Sequence, residues 1–153
     1  MPLTTADLID RLGDHLAATL PTTPDSARWA RSRFLPPSLG QDTEAKIQRC
    51  WSVWSPSASP VVQTQRQTTT EGVHVTSLIE AGFSYALRQD GTAADFTSAL
   101  TAEDVFRIAL FSVARTTLPR FTMQSVSRTL QPDGRTLVIL YTLQASHTVP
   151  LTT

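Results

Sequence analysis

The chain has 153 residues, 41% of them hydrophobic and 17% charged, with 13 basic and 13 acidic side chains in balance. That length suits one domain, and zero net charge removes the long-range attraction on which general nucleic-acid and anionic-membrane binders depend. A lone cysteine, Cys50, excludes an internal disulfide and argues against a thiolate metal site.

No run approaches the ~20 apolar residues of a membrane span, and the polar start has no signal-peptide core, so a soluble protein made in a reducing cytoplasm is expected. The first element is a helix. Thr4 stands three residues before Asp7, the reciprocal capping spacing. Leu8, Ile9, Leu12, Leu16 and Leu20 then share one face, with Asp10, Asp14, Ala17 and Ala18 opposite, until Pro21 ends the helix. His15 sits at the edge of the apolar stripe with no other His or Cys nearby, and reads as a boundary residue, not a metal ligand. Residues 21–48 are punctuated by Pro21, Pro24, Pro36, Pro37 and Gly40 too often for a long element. Within them Arg28, Arg31 and Arg33 alternate with Trp29 and Phe34. A stacking surface for single-stranded nucleic acid is one reading. In a neutral chain the better one is arginines that line a surface or pair with a neighbouring subunit.

Arg49 to Ser55, with Trp51 and Val53 alternating against Ser52, reads as a short strand that Pro56 stops. Residues 56–72 are rich in Ser, Thr, Gln and Pro, with Val61 and Val62 the main apolar exceptions. Such a composition predicts a mobile loop between two strands, within a single domain of residues 1–153. Val73 to Leu87 is the dominant stretch. Its odd positions carry Val73, Val75, Ile79, Phe83, Tyr85 and Leu87, a period of two that means a strand with one buried face. At ~3.3 Å per residue it would span on the order of 50 Å, and so requires a long partner or a bend at Gly82.

Asp90 and Gly91 mark a turn, and Thr92 to Leu100 fits either a loop or a helical turn. A second helix is expected from Thr101, where Asp104 completes the capping spacing and Leu100 with Val105 the hydrophobic staple, to about Thr117. Val105, Phe106, Ala109, Leu110 and Val113 form its sheet-facing stripe. On the far side Ile108 and Phe111, flanked by Arg107 and Arg115, make a patch suited to another subunit. Glu103 and Asp104 read as first-turn acids favoured by the helix dipole. Phe121 to Leu130 and Thr136 to Val149 flank Pro132-Asp133-Gly134, a hairpin turn. The apolar phase slips between Met123 and Val126, which predicts a bulge near Ser125.

The expected fold is α+β, with an antiparallel or mixed four-stranded sheet, two main helices on one face, the order α-β-β-α-β-β and a long β-hairpin. The three histidines are widely spread, and no nucleophile elbow, zinc-protease or phosphate-loop spacing occurs. A non-enzymatic protein without cofactor or metal is therefore expected.

This element order, with the first helix ending at Pro21, two strands around the polar 56–72 segment, a capped helix and the closing Pro132-Asp133-Gly134 hairpin, resembles the tail terminator or tail-completion proteins of long-tailed bacteriophages. The resemblance covers most of the chain outside residues 21–48. It implies a virion structural protein assembled in the host cytoplasm. Six copies would form a ring that ends the tail tube and joins it to the head, with DNA passing through the lumen and no sequence-specific contact to it. The implied partners are the tube protein and a neck or head-completion protein. Val61, Val62, Gln65 and Arg66 are the candidates for the partner-contacting loop, and Ile108, Phe111, Arg107 and Arg115 for the subunit interface. Another neck or tail component is the alternative, such as a head–tail adaptor or tube protein. A small monomeric binding domain is the reading furthest from it.

Overall fold

A computed structural model of the chain describes residues 3–21, 28–42, 49–60, 72–87, 93–112 and 118–150. The first helix, α1 (Thr5–Thr19), begins as its sequence dictates. The Thr4 hydroxyl accepts from the Asp7 amide at 3.0 Å and donates to the Asp7 carboxylate at 2.7 Å. A cap of this kind stabilises a helix by about 1 kcal/mol. Leu8, Leu12 and Leu16 are fully buried, and the amide of Leu20 closes the last turn on the Leu16 carbonyl before Pro21.

The expected four strands are five. A three-residue strand, β1 (Trp29–Arg31), runs parallel to β2 (Arg49–Pro60) and forms one edge. The sheet continues through β3 (Gly72–Ala86) and β5 (Thr136–Pro150) to β4 (Phe121–Leu130), in the order β1-β2-β3-β5-β4. Every pairing except β1 with β2 is antiparallel, so the sheet is mixed. A short 3-10 helix, Pro36–Gln41, adds a third helical element on the face opposite α1. β1 escaped the sequence reading because Trp29 is held by non-local pairing, its amide bonding the Pro21 carbonyl and Ala30 lying beside Cys50. So short a strand carries no period of its own.

β2 runs past Pro56, where the sequence suggested a stop. A register shift between Trp54 and Ser57 leaves Pro56 outside the ladder, where its missing N–H costs nothing. Of the expected 56–72 loop, residues 56–60 and Gly72 are therefore strand; residues 61–71 lie outside the described residues. β3 meets its length requirement through a partner, not a bend. β5 pairs with it residue for residue from Gly72 opposite Pro150 to Ala86 opposite Thr136. Gly82 is needed there for space: a Cβ would lie 2.7 Å from the Ile139 carbonyl oxygen.

The second helix, α2 (Ala93–Phe111), starts two turns before Thr101. Thr101 lies inside the helix, its hydroxyl donating to the Thr97 carbonyl, so the Thr101–Asp104 spacing is not a cap. Phe106, Ala109 and Leu110 face the sheet as expected, whereas Val113 lies outside the described residues. Phe106 is the centre of the core. Its ring lies 5.1 Å from Phe83, 5.6 Å from Tyr141 and 5.8 Å from Trp29 between centroids. Such aromatic packing adds about 0.5–1.5 kcal/mol per pair beyond burial. The closing hairpin has the predicted turn, with Gly134 at φ +69° and the Asp133 carboxylate accepting from the amides of Arg135 and Thr136. Its bulge falls between Met123 and Ser125, also as predicted.

Candidate assembly surface

α2 is apolar on more than its sheet-facing side. Asp95, Ala99, Ala102, Glu103, Phe106, Ala109 and Leu110 are buried. At about 100° per residue, Phe96, Leu100, Arg107 and Phe111 follow Glu103 around one flank, with Ile108 further toward solvent. Two contacts orient the helix. Glu103 reaches Arg128 on β4, so this flank overhangs the β4 edge. On the other flank His15 of α1 donates from Nε2 to the Ala109 carbonyl at 2.8 Å, satisfying an acceptor near the end of α2.

β4 extends this surface. Met123 and Leu130 lie opposite Leu143 and Leu137, on the helix side of the sheet, yet both remain exposed. Phe96 and Phe111 are each 41% exposed, Leu100 47% and Ile108 71%. These exposed apolar residues of the α2 flank and of the outermost strand, with Arg128 between Met123 and Leu130 on β4, are termed the apolar shelf. Isolated exposed apolar residues are ordinary, and their recurrence on one helix and the adjoining edge strand makes this a candidate interaction surface.

The inner margin of the shelf is built around one buried carboxylate. Glu103 is only 1% exposed. It accepts from Arg128 Nε and Nη2 at 2.7 Å each, and from Arg107 Nη2 at 2.8 Å. This two-pronged pairing holds the Arg128 guanidinium above its ordinary pKa, its hydrogen bond to Glu103 being the main cause. The Tyr141 hydroxyl donates to the Glu103 backbone carbonyl at 3.1 Å, and Arg107 lies over the Tyr141 ring at 5.8 Å. Burial, then the nearby Glu103 charge, push the Tyr141 phenol well up. The cluster pins α2 to β4 and β5.

Of the residues expected at a subunit interface, Ile108 and Phe111 are exposed on this surface, and Arg107 borders it while also bonding inward to Glu103. Arg115, and the proposed loop contacts Val61, Val62, Gln65 and Arg66, lie outside the described residues. Phe96, Leu100, Met123 and Leu130 were missed. Their spacing of four, Phe96 to Leu100, becomes meaningful once residues 93–100 are helical, and that was the signal available. Glu103 is corrected from a first-turn acid to a buried ion-pair centre, because the helix begins ten residues earlier.

The alternating arginines and aromatics of residues 28–34 do not form a stacking platform. Trp29 is buried against Phe83, with Arg49 over its ring at 5.4 Å, and Arg31 lies over Trp51 at 5.5 Å. One serine–histidine pair also stands out. His147 Nδ1 donates to the Leu3 carbonyl at 2.8 Å, and its Nε2 is hydrogen-bonded with Ser77 Oγ at 2.6 Å. Ser77 is fully buried, so its hydroxyl has no approach for a substrate; the pair fastens the start of the chain to β3 and β5.

Among the described residues no group of three His, Cys, Asp or Glu side chains is placed to hold a metal ion, and no helix is long and apolar enough to cross a membrane. No protein-family model and no curated protein matches the chain. Among solved structures, a crystal structure of a protein from Akkermansia muciniphila is similar at a TM-score of 0.40 and 10% identity, over 100% of this chain and 82% of that one, a likeness too distant to bear on function.

Proposed function

We propose that the chain is a structural subunit that acts as an assembled ring, and that the ring terminates the tail tube of a long-tailed bacteriophage and joins it to the head. The observation that carries the assembly reading is the apolar shelf, where Phe96, Leu100, Ile108 and Phe111 stand in water beside a ten-residue edge strand. An exposed edge of that length invites pairing or cover, and closed symmetry supplies cover without open-ended growth. The tail assignment is supported by the resemblance in element order outside residues 21–48, where β1 and the 3-10 helix lie, and without the cap at Thr101. Native mass spectrometry of the purified protein is expected to show one closed oligomer, six copies in the tail reading. Electron microscopy should place it as a ring at one end of tubes formed by the cognate tube protein. A monomer at tens of micromolar that also leaves tube ends bare would overturn the proposal.

A further inference from the structure

We draw no further inference here: the strongest candidate, the exposed apolar flank of α2 with the adjoining β4 edge, belongs to the assembly surface already described, and nothing in the structure shows what covers it.

Discussion

Tyr141 and Glu103 show how a single buried pairing fixes the position of a whole helix. The carboxylate would be costly to bury alone, and two guanidiniums offset that cost while keeping part of their own surface in water. The phenol beside it is fully buried, and the charge on Glu103 adds to burial in opposing its ionisation, more than Arg107 and Arg128 relieve it. Its folded pKa is therefore raised, so its contribution to stability is intact below the unfolded value of about 10 and is lost as pH rises toward the folded one. Chemical denaturation is expected to show stability declining above about pH 10, and Tyr141→Phe should flatten that alkaline limb. An unchanged limb in the variant would mean that another group controls it.

At the scale of elements, the β3–β5 ladder is the part least tolerant of change. Gly82→Ala places a methyl group against the Ile139 carbonyl in the middle of fifteen paired residues, and neither strand can move alone. Overpacking of this kind costs about 1–3 kcal/mol, and a urea midpoint lowered accordingly, with an unchanged slope, is expected. A neutral result would show that the ladder can part locally at Gly82. Elements whose signals are local were legible in the sequence: the Thr4 cap, the buried face of β3, the Asp133-Gly134 turn and the bulge before Ser125 all depend on neighbours within a few residues. The missed ones depend on distant partners. β1 exists only because β2 lies beside it, and Glu103 is explained only by Arg128, which is 25 residues away and on another element. The start of α2 was hidden by a capping spacing at Thr101 that the fold does not use. A helix that starts at Thr101 leaves Phe96 and Leu100 outside its faces and only Ile108 and Phe111 as its exposed apolar pair.

For the whole molecule, the two α-helices bury one face of the sheet and the 3-10 helix part of the other, while the shelf stays exposed. If neighbours cover it, assembly adds to the stability of the native state but not of the unfolded chain. The thermal midpoint is then expected to climb with protein concentration, and a midpoint constant over a roughly hundredfold range would argue against assembly in solution. The fold also bears on its own connectivity. Leu3 donates its amide to the Thr148 carbonyl at 2.7 Å and receives His147 on its own carbonyl, so the first and last described stretches of backbone lie side by side at one rim of the sheet. The starting point of the chain thus matters little to this architecture: a circular permutant that joins residues 3 and 150 through a short linker and opens a loop elsewhere would keep every strand neighbour in place.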